Sequence, residues 1–398
     1  MAGTLASGRG PSFRAVIRGV GAVTGHGVGV GVLVEALLAG RSAIRTVTRF
    51  PTTGLCSALA AEAPGDAVLE ALGFPAPPGA SRAARLLLAA ATEAMHGRSR
   101  TPSVRRGVVV GSTKGALELG LAGWRAGRGV RENLLDEPGR RLAEAVGAQG
   151  PVFTVGAACA SSLIAIGEAL ALLEDGTCTE VIVGGVDALH PFVYRGFHAL
   201  KALSPHPAAP FDLHRQGLSL GEGAAVLVLE AAREEEAGQV FISGFAAATD
   251  GFDQAAPDPS GQGLIRACRR ALAEAGRDPG SVSRYHAHGT GTVQNDRMEA
   301  ATHAALFEGR AVPVCGIKGS TGHTLGASGA LDVVVCAMTL ARSVLPPIVQ
   351  LETVDPAAAV PAVLHHSRPD EGRVALVGSA GFGGINAAVI LERSGVAS

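Results

Sequence analysis

Lysine is almost missing from this sequence. Among 398 residues it occurs only as Lys114, Lys201 and Lys318; every other cationic side chain, histidine aside, is arginine. Ammonium and guanidinium are not interchangeable, so each lysine in such a chain draws attention. Net charge is missing too. A formal balance of −1 supplies no field for nucleic acid or an anionic membrane, and neither is expected as a partner. No apolar run is long enough to cross a bilayer, and no charged start precedes an apolar stretch, so neither a span nor a leader is expected. The cysteines, at 56, 159, 178, 268, 315 and 336, include no Cys-x-x-Cys pair. Neither a zinc site nor a disulfide framework is expected, no metal is called for, and a reducing cytoplasm fits.

What is present is apolar and alternating. Hydrophobic residues make up 47% of the chain, ample for a large core, and the length allows two or three domains. Short β-branched runs predict strands at Arg14–Gly21, Gly107–Gly111, Pro151–Val155, Glu180–Gly185, Ala225–Glu230, Val240–Ala246, Ser283–His288 and Val374–Val377. Helical patterns lie between them: Val32–Leu38, Ser81–Met95 with Ser81 as N-cap, Leu163–Asp175, Gly263–Ala275, Asp296–Phe307 and an Ala-rich run to Ala341. Residues 114–150, rich in Gly and Arg and holding the single Trp124, read as helix–loop–helix. Strand–helix alternation in both halves predicts an α/β architecture. The halves end alike. Gly-Glu-Gly-Ala-Ala-Val-Leu-Val-Leu-Glu closes at Glu230 and Gly-Gly-Ile-Asn-Ala-Ala-Val-Ile-Leu-Glu at Glu392, a sign of internal duplication. The charged stretch Arg233–Gly238 is the candidate link, dividing the chain into 13–235 and 236–398.

The chain is organised around Val155-Gly156-Ala157-Ala158-Cys159-Ala160-Ser161-Ser162. Small residues lead from a strand read as buried to a cysteine, and a helix apolar on several faces follows. Backbone N–H groups and the helix dipole favour a thiolate there. An inert core cysteine is the competing reading. His288, Lys318 and His323 likewise sit where a strand or Gly-rich loop meets a helix. Each alone has a bland reading, as a satisfied core polar group or a surface charge.

Together the motifs are more specific. Ala-Ala-Cys-Ala-Ser-Ser (157–162), Pro-Phe-Asp-Leu-His-Arg (210–215), Leu-Gly-Glu-Gly-Ala (220–224), Ala-His-Gly-Thr-Gly-Thr (287–292), Lys-Gly-Ser-Thr-Gly-His-Thr-Leu-Gly-Ala-Ser-Gly (318–329) and Gly-Phe-Gly-Gly-Ile-Asn (381–386) follow in an order that resembles the β-ketoacyl synthases, condensing enzymes of the thiolase superfamily. The resemblance implies a thiolase-like fold of two similar halves forming a five-layered α-β-α-β-α sandwich. The implied reaction is a decarboxylative Claisen condensation of an acyl thioester with malonyl on an acyl carrier protein. Cys159 would accept the acyl chain, since a thiolate is a good nucleophile and a good leaving group. His288 and His323 would donate to the enolate oxygen. Lys318 would pair with Glu299 and orient the histidines. The N–H groups of Cys159 and Phe382 would form a second oxyanion hole. Thr290 and Thr292 would hold the phosphopantetheine arm, so no other cofactor is implied.

The sequence also departs from that pattern. Lys114 and Ala380 stand at acyl-pocket positions, the latter in place of a Phe before the gate residue Phe382, and the segment 115–150 is short. These features are similar to synthases of aryl polyene and highly reducing type II polyketide pathways. A housekeeping fatty acid synthase and a catalytically silent chain-length factor are the alternatives, and retention of the Cys-His-Lys-His set argues against the silent one. A dimer is implied, either of two identical chains or with a ketosynthase-like chain-length factor, beside the strand 151–155. Lys114 calls for a counter-charge, in this reading one on a partner chain. Arg82, Arg85, Arg98, Arg100, Arg105 and Arg106 are candidates to greet an acidic carrier protein.

Overall fold

The computed structural model describes residues 13–75, 77–98, 105–127, 135–232 and 238–395. Ten strands carry the architecture: β1 (Ala15–Thr24), β2 (Arg106–Gly111), β3 (Val152–Val155), β4 (Glu180–Asp187), β5 (Gly223–Ala231), β6 (Val240–Thr249), β7 (Arg284–His286), β8 (Val314–Cys315), β9 (Val374–Gly381) and β10 (Ile385–Arg393). They form one continuous path, β8-β7-β9-β10-β6-β1-β5-β4-β2-β3.

The path is symmetric about its centre. Outward from β1, the pairs β1/β5 and β5/β4 are antiparallel and β4/β2 and β2/β3 parallel. Outward from β6 the same sequence recurs through β10, β9, β7 and β8. The register slips at matching places, between Ile17 and Gly19 on β1 and between Ile242 and Gly244 on β6. The twin endings noted in the sequence are β5 and β10, which hold equivalent positions. A short seam joins the arms, Ala15 opposite Ile242 and Val16 opposite Phe241. The expected division between residues 235 and 236 lies outside the described residues.

Nine helices are each nine residues or longer among the described residues: α1 (Val30–Leu38), α2 (Arg82–Ala94), α3 (Leu117–Arg125), α4 (Glu137–Val146), α5 (Ser161–Glu174), α6 (Pro191–Ala199), α7 (Gln262–Glu274), α8 (Val293–Phe307) and α9 (Ser328–Ala341). α5 and α9 lie between the arms and touch strands of both, while α2 and α4 cover the outer face of one arm and α7 and α8 that of the other. Strand alternation shows why five layers form. Along β5, Ala225, Leu227 and Leu229 enter the central core, while Ala224, Val226 and Val228 enter an outer one. Along β10, Ala387, Val389 and Leu391 enter the same central core, and Ala388 and Ile390 the opposite outer one. A strand that is apolar on both faces must be covered twice. Ser81 caps α2, accepting from the Ala84 N–H.

One expectation changes. The strand at Pro151–Val155 is not buried: β3 ends the path, with Val152 40% and Phe153 46% exposed. An apolar run marks a strand but does not say whether a neighbour pairs with its far edge. The segment 114–150 contains two helices, α3 and α4, as expected, and Trp124 is 66% exposed. No helix among the described residues is long and apolar enough to cross a membrane.

The approach of β2 to the start of α5 admits no side chain. A Cβ on Gly111 would lie 2.4 Å from the Ser162 nitrogen and 2.6 Å from the Ser161 carbonyl carbon, both backbone atoms. Gly111→Ala is therefore expected to destabilise the protein by about 1–3 kcal/mol, the usual range for overpacking. Denaturant unfolding measures this, and a wild-type midpoint would contradict the close approach.

Candidate active site

Cys159 sits on the turn between β3 and α5. Ala158 takes φ +48°, a left-handed conformation that costs an L-residue roughly 1–2 kcal/mol. Ser161 holds the turn closed: its hydroxyl accepts from the Ala157 N–H at 2.9 Å and donates to the Ala158 carbonyl at 2.6 Å. From the α9 side, the Ala330 N–H donates to Ser162 Oγ at 2.9 Å. The turn that carries the sulfur is thus braced by the helix layer it introduces.

Two histidines meet that sulfur. His323 Nε2 lies 3.0 Å from Cys159 Sγ, and the His288 ring stands edge-on to His323 with centroids 5.1 Å apart. Nδ1 of both rings is buried without a partner. An unpaired N–H is the costlier orphan, so the ring protons belong on Nε2. Burial, then the charge of Lys318, holds His288 well below the ordinary imidazole range and lowers His323 to about 3. Both are therefore neutral N–H donors at physiological pH. Cys159, His288 and His323 are tight enough to bridge a soft cation, but the Lys318 ammonium opposes a second cation there, and we assign no metal.

The thiol differs from expectation. Burial pushes Cys159 up to about 11; Lys318 and the Phe382 backbone N–H pull the other way, as Lys114 does, while Asp187 adds to the rise. The Phe382 bond brings a backbone N–H to the sulfur.

Lys318 does not pair with Glu299. Its ammonium donates to Asp332 Oδ2 at 3.1 Å, and His286 Nε2 meets Asp332 Oδ1 at 3.1 Å. Sequence reading missed both Asp332 and His286. Asp332 sits in an Ala-rich helix that looked like packing, and His286 was absorbed into a strand. Their signal was a lone carboxylate and a lone histidine in apolar surroundings, where a charge must be paired. Glu299 instead fixes the backbone beneath His288: it accepts from the N–H groups of His288 and Gly289 at 2.7 and 2.6 Å, from Tyr285 Oη at 3.0 Å and from Asn295 Nδ2 at 2.8 Å. Burial, with Asp296 nearby, raises it to about 7. One helical turn earlier, Asp296 accepts from the Phe211 and Gly291 N–H groups. Glu299 is a positioning residue.

A cavity of about 660 Å³ opens onto these groups. Cys159, His288 and His323 lie at its base, with Thr290, Thr292, Ala380 and Phe382 along its walls and Lys201 and Arg297 also lining it. The Thr290 and Thr292 hydroxyls are 3.0 Å apart. Phe382 stacks on Phe197 of α6, centroids 5.7 Å apart. Lys114 is not among its walls. It lines a separate cavity of about 70 Å³ with Leu117 and His190, and its ammonium meets Asp187 at 3.2 Å. The counter-charge thus comes from this chain and not from a partner. The arginines considered for carrier docking are also engaged internally: Arg82 with Asp66 and Glu222, Arg85 with Asp66 and Glu70, Arg98 with Glu180 and Glu230, and Arg106 with Glu180. Arg105 donates to the Gly176 carbonyl, and Arg100 lies outside the described residues.

Comparison with known proteins shows the family. Residues 13–237 match the family model for the β-ketoacyl synthase N-terminal domain, and residues 240–352 that for its C-terminal domain. A protein named putative polyketide β-ketoacyl synthase 1, from Streptomyces cyaneus, is 35% identical over 95% of this chain and 97% of its own length. Among solved structures, the ishigamide ketosynthase/chain length factor superposes with a TM-score of 0.88 at 27% identity, covering 96% of this chain and all of the other. A ketosynthase in complex with its chain length factor, from Xenorhabdus doucetiae, gives 0.84 at 30% identity over 96% of this chain and 98% of the matched one.

A thiol with a pKa of about 11 reacts in proportion to its small thiolate fraction. Alkylation of Cys159 by iodoacetamide is expected to quicken about tenfold per pH unit through neutrality. Lys318→Met removes a cation that favours the thiolate, so it should slow the reaction at pH 8 by on the order of tenfold. Intact-mass kinetics measure both, and an unchanged rate in the variant would exclude the field of Lys318.

Proposed function

Because the chain belongs to the β-ketoacyl synthase family, we propose that it elongates an acyl chain held on Cys159 by decarboxylative condensation with malonyl on an acyl carrier protein. The observation that carries this reading is the thiol 3.0 Å from His323 Nε2, with His288 alongside, at the base of the cavity. The Cys159 thiolate attacks an acyl thioester, and the N–H groups of Cys159 and Phe382 receive the negative oxygen. The carrier thiol leaves. A malonyl thioester then enters along Thr290 and Thr292. Loss of carbon dioxide leaves an enolate, whose oxygen takes hydrogen bonds from Nε2 of His288 and His323. Neutral donors suit this step, because neither ring has to lose or regain a proton. The enolate carbon attacks the acyl carbonyl, and Cys159 departs as thiolate.

Similarity to a polyketide β-ketoacyl synthase over nearly the full chain supports type II polyketide elongation, and we propose the polyene type within it. Fatty acid elongation uses the same residues and remains the second reading. No cofactor beyond the carrier's phosphopantetheine is called for, and Lys201 and Arg297 at the cavity are suited to its phosphate. Six free thiols support a cytoplasmic setting. A silent chain-length-factor role is disfavoured, since the thiol stands within reach of both histidines. The partner reading rests on β3, whose free edge and exposed Val152 and Phe153 suit a second ketosynthase-like chain. Structures of related ketosynthases with chain length factors support a heterodimer.

Cys159→Ala is expected to abolish covalent loading from acyl-carrier protein, read by intact mass. His288→Ala and His323→Ala should load but lose condensation by on the order of 10²-fold, the cost of one oxyanion donor. Normal condensation by both histidine variants would overturn their roles. Co-expression with a chain-length factor, followed by native mass measurement, should yield a one-to-one pair that condenses faster than the chain alone. A fully active homodimer would remove the heterodimer and leave the synthase.

A further inference from the structure

Behind the histidines lies a buried charge cluster that the steps above do not consume. Asp332, in the second turn of α9, is fully buried. Lys318 Nζ approaches one of its oxygens and His286 Nε2 the other, each at 3.1 Å, while Ser328 Oγ donates to Oδ2 at 3.3 Å. Lys318 and His286 are 1% and 3% exposed. His286 ends β7, two residues before His288 on the same stretch of chain. One carboxylate therefore faces two basic groups in a space closed to water.

The two possible charge states differ in what reaches the sulfur. With His286 neutral, Asp332 cancels Lys318, and the cluster presents no net charge. With His286 protonated, the cluster carries one net positive charge. We propose that His286 is a protonated positioning residue, which shares Asp332 with Lys318 so that the ammonium's charge remains uncancelled toward Cys159 and toward the enolate formed beside it.

Asp332 and Cys336 favour a cation at His286, while Lys318, across the shared carboxylate, opposes one. From α9 come Asp332 and Cys336. From β8 comes Cys315, its register neighbour. On its own strand Arg284 is already paired, with Asp370. Burial alone would lower the imidazole, but the hydrogen bond to Asp332 and then that to Cys336 raise it to about 9. Asp332, despite its burial, is held below the usual carboxylate range, Lys318 contributing first and His286 next. The sign for stability follows. A pKa raised above 6.5 stabilises the fold fully below that pH, and the contribution is lost as pH rises through about 9. The same step takes the cluster from one positive charge to none, so the Cys159 thiol becomes harder to ionise.

The effect on turnover rests on the proposed condensation; the effect on the thiol does not. His286→Gln keeps a side-chain N–H near Asp332 and removes the charge. Iodoacetamide alkylation of Cys159 at pH 8 should slow by on the order of tenfold, the scale of one unit charge across roughly 10 Å of protein interior. His286→Lys should restore the rate. The wild-type alkylation profile should bend near pH 9, and that bend should vanish in His286→Gln. If His286→Gln alkylates at the wild-type rate with the bend retained, the proposal is overturned. Should that variant fail to fold, a ¹³C-ring-labelled wild type decides: one histidine resonance titrating near pH 9 supports the proposal, and none above pH 8 refutes it. Alkylation that behaves as expected in a protein inactive toward malonyl carriers would sink the synthase reading and leave the role of His286 standing.

Discussion

Hiding the Cys159 sulfur from water raises its pKa to about 11, and the other features of the centre answer to that cost. A thiolate must form there without bulk solvent, so the protein supplies fixed charge and fixed dipoles in its place. Lys318 contributes the charge, and the Phe382 N–H contributes a dipole aimed at the sulfur. The same burial turns to advantage at His288 and His323, because it keeps both rings neutral and therefore ready to donate. One physical condition, a dry pocket, weakens the nucleophile and prepares the oxyanion donors together.

The fold brings these groups together from distant parts of the chain. Cys159 enters from the turn before α5, His288 from the loop after β7, Lys318 and His323 from the segment before α9, and Phe382 from between β9 and β10. α5 and α9 are the central layer, so the residues at their N-terminal ends meet where the two sheet arms face each other. Glu299 and Asp296 anchor the loop at 288–291 through backbone N–H groups. Their contribution is to geometry, and the contribution of Lys318 and Asp332 is to field.

Much of this was legible in the sequence, for identifiable reasons. The Cys159 turn, the Ser81 cap and the paired endings at Glu230 and Glu392 are local patterns, and local patterns survive folding. The motifs around 288, 318 and 381 named the site because several occur in a fixed order. Pairings across the fold were not legible. The resemblance set Glu299 against Lys318, whereas Asp332, 14 residues along the chain from Lys318, is the carboxylate the packing presents. Lys114 was given a counter-charge on another chain because none stood nearby in sequence, yet Asp187 reaches it across the top of the sheet. The strand 151–155 looked buried because it is a short apolar run, and such a run says nothing of whether its edge is covered.

The seam at the centre of the sheet also bears on how the protein is made. β1 precedes every other strand of the sheet among the described residues. Its partners are β5, where Ala15 lies opposite Ala231, and β6, where it lies opposite Ile242. Beyond the short hairpin of Val23 with Val28, the body of β1 has no neighbour until β5 has been synthesised, and its backbone N–H and C=O groups stay open along both edges. Pairings of such long range are slow to close and expose chains to misassembly on the way. The body of β1 thus waits for the end of its own arm, and its docking joins the two arms between which the reactive thiol is held.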